Sequence, residues 1–306
     1  MAEWKAFTSL SEEQMQSIWN YDCKDPFAFL GIHPLQTDKG VKTVVRTYQP
    51  HASFVRAESM DGSVEFDFVK LGDSGFYEAV LDMDFEPFQY RLHITLPGGN
   101  IYHILDPYSF LPVLSDFDRY LINAGRHYEL YRKLGANLVT HQGIPGVHFA
   151  VWAPNAKSVA VVGSFNSWDG RRHPMRLLGE SGVWEIFIPE IGENELYRFE
   201  IHGMDGSLHV KIDPLAKLSE VRPATASITT HLDGYEWNDK LYMDTHHATG
   251  VFGAPMNIYE VHAGSWKRDP MNPDRFLNWD ELADTLIPYL KEMGYTHVEF
   301  LPLAEH

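Results

Sequence analysis

One unit of sequence occurs twice in this chain. Leu71-Gly72-Asp73-Ser74-Gly75-Phe76-Tyr77-Glu78 returns as Leu178-Gly179-Glu180-Ser181-Gly182-Val183-Trp184-Glu185, Tyr90-Arg91 as Tyr197-Arg198, and Asp106-Pro107 as Asp213-Pro214, each time with an offset of 107 residues. An earlier pair, Leu30-Gly31 and Leu134-Gly135, is offset by 104, which places a three-residue length difference inside the unit. Periods of about 20–50 residues build solenoids. A period near ~105 is the size of a small domain, so a duplicated module is the natural reading. Duplication also supplies an internal control, because a surface kept in one copy and lost in the other is marked by the difference.

The patterning inside each copy is that of strands. In the first copy, from about Phe27 to Phe110, the segments 42–48, 75–81 and 89–96 are rich in β-branched and aromatic residues, with Asp61-Gly62 and Pro97-Gly98-Gly99 as turns. A short helix over 9–20, capped by Ser11, precedes it, and 114–136 is helical in parts. In the second copy Val147, Phe149 and Val151 alternate onto one face, followed by strands over 158–163, 183–188 and 196–202. Short strands separated by turns predict a small antiparallel, immunoglobulin-like β-sandwich in each copy. After about residue 255 the pattern changes to strand (257–262), helix (from Asn278, capped in box fashion by Glu281, to Gly294, with Pro288 inside) and strand (297–302). That is the βα pattern of a parallel sheet or barrel. The expected division is 1–112 for the first, diverged sandwich, 113–140 for a helical linker, 141–235 for the second sandwich, and 236–306 for a linker and an incomplete (β/α)8 barrel.

A net charge of −17 repels phosphate, so nucleic acid and anionic membrane are poor partners. The single cysteine, Cys23, excludes an internal disulfide framework, and neither an export signal nor a membrane-spanning apolar run is visible, so a cytoplasmic location is expected. Aromatic residues make up 13% of the chain. They serve packing, or stacking against the C–H faces of sugars.

Gly163-Ser164-Phe165-Asn166-Ser167-Trp168-Asp169 resembles the G-x-F-N-x-W signature of glycogen- and starch-associated β-sandwich modules, and Phe149–Ala156 matches the start of the same module. The stretch 258–266, the helix after it, and Glu299-Phe300-Leu301-Pro302-Leu303-Ala304-Glu305-His306 look like the first barrel strands of bacterial 1,4-α-glucan (glycogen) branching enzymes of the α-amylase superfamily. The resemblance implies a retaining glycosyl transfer. An Asp forms a covalent glycosyl-enzyme, a Glu acts as acid and then base, and a second Asp orients hydroxyls while the glucan segment passes to a 6-hydroxyl. In that family these carboxylates lie on later barrel strands, so no catalytic residue is assigned here. Glu260, Glu299 and Glu305 are read as structural, and His262 and His306 as structural or lining a cleft. No cofactor or metal is implied, the partner is α-1,4-glucan or glycogen, and the chain is read as a monomer.

In the related modules the Trp of the turn stacks on glucose, a basic residue on a following strand bonds hydroxyls, and a second Trp follows a D-G turn. Trp168 and Arg198 match the first two positions, whereas the third is Leu208. The candidate binding residues are therefore Trp168, Asn166 and Arg198. For Trp168 the alternative is packing under the loop or against the barrel, and for Asn166 it is a turn whose side chain bonds backbone. Trp152 and Trp184 are read as core or interdomain. The first copy has Arg56–Asp61 at the place of the turn, without the Trp, and is read as a packing or length-setting domain. Two other functions remain open: a stand-alone glucan-binding or targeting protein, and a debranching or trehalose-releasing enzyme of the same superfamily.

Overall fold

A computed structural model describes residues 8–38, 40–249 and 253–303. Glu305 and His306 lie outside the described residues. Two compact units divide between Gly234 and Tyr235.

The first unit is mainly β and holds both copies. In the first copy, one sheet runs Gly31–Thr37, Gly40–Tyr48, Phe76–Asp84, Val69–Lys70, and the other runs Glu65–Asp67, Phe54–Ser59, Tyr90–Thr95, Ile101–Leu105. Neighbouring strands are antiparallel. Burial alternates residue by residue along Phe54–Ser59 and Tyr90–Thr95. One side of each strand therefore closes onto a core of Val45, Val55, Ala57, Tyr77, Tyr90, Leu92 and Ile94. The second copy repeats the design. Arg176–Leu177, Val183–Pro189, Ile144–Trp152 and Gly135–His141 form one sheet. Ala156–Gly163, Leu196–Gly203, Ser227–Ile228 and Leu218–Ser219 form the other, with Leu208–Lys211 paired to Leu196–Gly203. Strand Gly135–His141 falls in the stretch expected as helical linker. Its hydrogen bonds to Ile144–Trp152 make it part of the second sandwich, whatever its local propensity.

The duplication reaches further upstream than the matched residue pairs. Ser11 and Ser115, again 104 apart, each close a capping box on an eight-residue helix, Glu12–Trp19 and Asp116–Asn123, and each follows a buried leucine, Leu10 or Leu114. A buried glutamate ties the residues before each helix to the sheet. Glu78 accepts from the Ser9 amide at 3.0 Å, and Glu185 accepts from the Val113 and Leu114 amides at 3.2 and 3.1 Å. The Tyr90 hydroxyl donates to Asp106 at 2.5 Å and the Tyr197 hydroxyl to Asp213 at 2.6 Å. Burial pushes the Asp106 carboxyl up to about 6 and moves Asp213 in the same direction.

The glycine pair shows a difference in tolerance. Both sit at positive φ, +86° at Gly31 and +82° at Gly135, but a Cβ on Gly31 would lie 2.3 Å from the Tyr108 carbonyl oxygen, and one on Gly135 would lie 3.0 Å from an Asp213 side-chain oxygen. Gly31→Ala is expected to cost about 3 kcal/mol, from left-handed strain plus a backbone overlap. Gly135→Ala is expected to cost about 1–2 kcal/mol, because its nearest neighbours, at 3.0–3.3 Å, need to give by only a few tenths of an ångström. Urea midpoints of the two variants check the order, and equal losses would refute it.

The two sandwiches share one apolar cluster. Met15 and Ile18 of the first helix and Tyr48, Leu71, Phe76 and Tyr108 of the first copy join Val147, Phe149, Val159, Met175 and Trp184 of the second. The Tyr108 hydroxyl donates to the carbonyls of Arg172 and Pro174, each at 3.3 Å, and the Leu177 amide donates to the Lys24 carbonyl at 2.8 Å.

The second unit pairs Ile258–Val261 with His297–Phe300 in parallel, the chain between them including helix Trp279–Met293. That helix is capped by Asn278 with Glu281, stops at Gly294 in the left-handed conformation, and runs through Pro288. Leu282 and Leu286 bury against Val261.

Candidate functional site

The turn after strand Ala156–Gly163 is held from inside by Asn166, which is 0% exposed. Its Oδ1 accepts from the Gly163 amide, and its Nδ2 donates to the Val161 carbonyl and to His173 Nδ1, each at 2.9 Å. The structure thus has the turn-forming alternative for Asn166, whose side chain is spent on protein groups and does not reach the surface. Ser164 ties the same turn to Glu195, the residue before strand Leu196–Gly203, at 2.5 Å.

This bracing sustains two consecutive left-handed residues, Ser167 at φ +58° and Trp168 at φ +62°. Such a backbone costs an L-residue about 1–2 kcal/mol and persists only where its surroundings over-determine it. Its result is to turn the Trp168 ring outward, 43% exposed. Arg198 lies on the adjoining strand, where Val162 pairs with Arg198. Its guanidinium carbon is 5.9 Å from the Trp168 ring centroid. Its Nη2 donates to Thr225 Oγ1 at 2.6 Å, and its Nε is buried without a protein partner. The structure therefore brings Trp168 and Arg198 together and adds Thr225. Sequence reading missed Thr225 because it arrives on a loop 27 residues beyond Arg198 with no motif of its own. Leu208 is exposed but pairs with His202, about 13 Å along the strand from Arg198. An open aromatic plane beside a guanidinium and a hydroxyl is suited to a neutral polyol with one apolar face.

The internal control is informative here. Arg91, the repeat partner of Arg198, is engaged by Glu190 of the second copy through two bonds of 2.5 and 2.7 Å. The loop that follows Trp168 packs on the first copy, where Arg172 reaches the Tyr102 hydroxyl at 3.3 Å. One copy therefore keeps its arginine beside an exposed ring, and the other uses it to dock.

His173 makes the turn sensitive to acid. Nδ1 must accept from the Asn166 amide, so the imidazole has to be neutral. Burial, with the Arg172 guanidinium nearby, holds its pKa down at about 3. Between about pH 3 and 6.5 the unfolded chain binds the extra proton, so stability conferred by neutral His173 is full above 6.5 and falls on acidification. The stability gap between the native chain and His173→Asn is therefore expected to narrow from pH 7 to pH 4. A constant gap in denaturant titrations would show that His173 does not titrate this way.

Trp184 is fully buried, and its Nε1 donates to the Ala153 carbonyl at 3.0 Å. Trp152, in contrast, is 59% exposed. It borders an open groove of about 640 Å³ lined by Ile122, Leu130, Leu134, Pro154 and Leu215 among others. Glu260 and Glu299 are register partners on the parallel strand pair, and His262 Nδ1 meets Ser265 Oγ at 2.7 Å. Among the described residues no group of three His, Cys, Asp or Glu is placed to hold a metal, and no helix is long and apolar enough to cross a membrane.

Two family models match the chain. Residues 11–108 match the alpha-1,4-glucan branching enzyme GlgB N-terminal domain, and residues 133–216 match carbohydrate-binding module 48, the isoamylase N-terminal domain. Similar curated proteins include the 1,4-alpha-glucan branching enzyme GlgB of Ralstonia nicotianae, 46% identical over 92% of this chain and 38% of that protein. The GlgB of Protochlamydia amoebophila is 43% identical, with 98% and 40% covered, and GlgB 1 of Xanthomonas axonopodis pv. citri is 48% identical, with 92% and 37% covered. The chain thus spans less than half the length of these relatives. Among solved structures, a type I pullulanase from Bacillus subtilis complexed with maltose aligns with a TM-score of 0.40 at 18% identity, over 87% of this chain and 36% of that one.

Proposed function

Because the chain belongs to the GlgB family of 1,4-alpha-glucan branching enzymes and corresponds to their N-terminal portion, we propose that it serves an enzyme that cuts α-1,4-glucan and transfers the segment to a 6-hydroxyl in glycogen synthesis. Its own contribution is to hold glucan. The observation that carries this reading is the exposed Trp168 ring beside Arg198, on a turn that the buried Asn166 keeps in a costly conformation. A glucose stacks its C–H face on Trp168, Arg198 bonds its hydroxyls, and Thr225 steadies the guanidinium. A neutral glucan meets no repulsion from a chain of net charge −17.

In this reading residues 1–112 pack and space, 141–235 bind, and 236–306 open a (β/α)8 barrel in the cytoplasm, the acting carboxylates lying outside residues 1–306. No cofactor takes part. Two experiments test it. Co-sedimentation with glycogen should retain the chain, and passage through undiminished would overturn glucan binding. A branching assay on residues 1–306 should give no α-1,6 transfer, and measurable transfer would overturn the assignment of catalysis to other segments.

A further inference from the structure

The loop from Asp169 to Met175 continues directly from the Trp168 turn, and only one of its two faces belongs to the second copy. On that face it lies flat against the sheet. The Met175 amide donates to the Val159 carbonyl at 2.8 Å, the Val161 amide donates to the His173 carbonyl at 3.2 Å, and Ala160 bridges Pro174. Gly170 fits so closely that a Cβ there would lie 2.4 Å from Glu200 Oε1 and 3.2 Å from Ala160 Cβ. At the start of the loop the Trp168 amide donates to the Gly163 carbonyl at 3.1 Å, and the Asp169 amide donates to the Asn166 carbonyl at 3.3 Å.

The other face is covered by the first copy. Tyr108 is 8% exposed, and its hydroxyl lies 3.3 Å from both the Arg172 and the Pro174 carbonyl oxygens. Those two carbonyls flank His173, whose Nδ1 accepts from the Asn166 side chain. Arg172 reaches in turn to the Tyr102 hydroxyl at 3.3 Å. Gly170, Arg171 and Pro174 face Ser17, Ile18, Tyr21 and Cys23 of the first copy across a cavity of about 10 Å³, barely room for one water. Beside it the Tyr21 ring stacks on His202 at 4.7 Å, and the Tyr21 carbonyl accepts from Ser158 Oγ. The loop is thus a layer shared by both sandwiches. The left-handed pair Ser167 and Trp168 persists only while its surroundings over-determine it, and part of those surroundings is gripped from the first copy.

We propose that Tyr102 and Tyr108 of the first copy are positioning residues for the Trp168 site of the second, so that glucan binding and the junction between the copies are thermodynamically linked. The inference rests on the reading of Trp168 and Arg198 as a glucan site. Neither tyrosine touches the sugar. Each steadies the loop, and the loop steadies the turn that presents the ring. The coupling is reciprocal: whatever the ordered junction adds to glucan affinity, bound glucan adds to the order of the junction. The first copy, which has no tryptophan at this turn, contributes to binding in this way and does more than pack or space.

The probe is maltoheptaose on the full chain, followed by titration calorimetry, thermal melts and amide hydrogen exchange. Tyr102→Phe combined with Tyr108→Phe is expected to weaken binding at least about threefold and to speed exchange over 169–175 by a similar factor. Val45→Ala, in the first copy's own core, is the control for lost stability. It should lower the thermal midpoint comparably and bind within about 1.5-fold of the native chain. A reciprocal arm needs no change at the junction. Saturating maltoheptaose should slow exchange over 102–110 of the native chain at least about twofold, and should have no effect there in Trp168→Ala. Native affinity in the double tyrosine variant, an equal loss in Val45→Ala, or unchanged exchange over 102–110 of the native chain would each overturn the proposal. Protection over 102–110 that persists in Trp168→Ala would also overturn it, since glucan would then bind the first copy directly. Native affinity in Trp168→Ala is a separate result: it moves the glucan site itself, and the proposal falls with the reading beneath it.

Discussion

Glu185→Ala is expected to be the most destabilising single change in the second sandwich, at about 3–5 kcal/mol. The carboxylate is 0% exposed and takes four bonds: from His148 Nε2 at 2.9 Å, Arg176 Nε at 3.2 Å, and the Val113 and Leu114 amides at 3.2 and 3.1 Å. Burial alone would raise its pKa, but the bond from His148, the Arg176 charge and the Leu114 amide outweigh it and hold the carboxyl below the usual range. Alanine removes all four acceptor contacts at once and leaves the buried Arg176 without its counter-charge. Arg176 also lies over the Phe27 ring at 3.7 Å and donates to the Phe110 carbonyl at 3.3 Å, so the loss spreads to the junction between the copies. For a unit of this size the thermal midpoint should fall by about 10 °C. Glu185→Gln keeps an acceptor and should cost less. A loss below about 1 kcal/mol for the alanine variant would mean that the network relaxes into other partners, and the duplicated glutamate would then be dispensable.

The largest functional effect is expected at Trp168, and there stability and binding should move apart. Trp168→Ala removes the exposed ring and its contact with Arg198, and should weaken binding to glycogen or a long maltooligosaccharide at least tenfold, or ~1.4 kcal/mol. Folding stability should fall by no more than about 1 kcal/mol, since the side chain is 43% exposed and stands outside the buried core. Trp168→Gly should bind as poorly and yet be more stable by about 1 kcal/mol, because glycine adopts φ +62° without the Cβ penalty. Isothermal titration with denaturant melts on the same preparations separates the two quantities. Wild-type affinity in Trp168→Ala would move the glucan site elsewhere, and a glycine variant no more stable than alanine would show that the turn carries no strain.

Much of the fold was legible because its signals are local. Alternating apolar residues announced the strands, Ser11 and Asn278 announced helix starts, and the Gly-x-Phe-Asn-x-Trp turn was legible through its resemblance to the signature of glycogen- and starch-associated modules. The upstream reach of the duplication was also within reach, since Leu10-Ser11 and Leu114-Ser115 share the offset of Leu30-Gly31 and Leu134-Gly135. It went unread because two short dipeptides stand out only once both helices are seen to be capped alike. Thr225 and His173 carried no such signal. Their roles depend on a loop meeting a strand and on a ring meeting an amide, and neither distance is encoded by neighbours in sequence.

The order of residues was enough to establish two related sandwiches, a parallel strand pair after them, and a tryptophan kept in one copy alone. Each is a matter of periodicity or comparison between the copies. Which side chains face water is a different question, answered when sheets and copies pack. Arg91 and Arg198 are the same residue in the repeat, yet Glu190 pairs one and leaves the other beside an open ring. Tyr48 and Trp152 are likewise equivalent, one buried beneath the second copy and the other exposed. Burial belongs to pairs of surfaces distant along the chain, so identical local sequence can end on opposite sides of an interface.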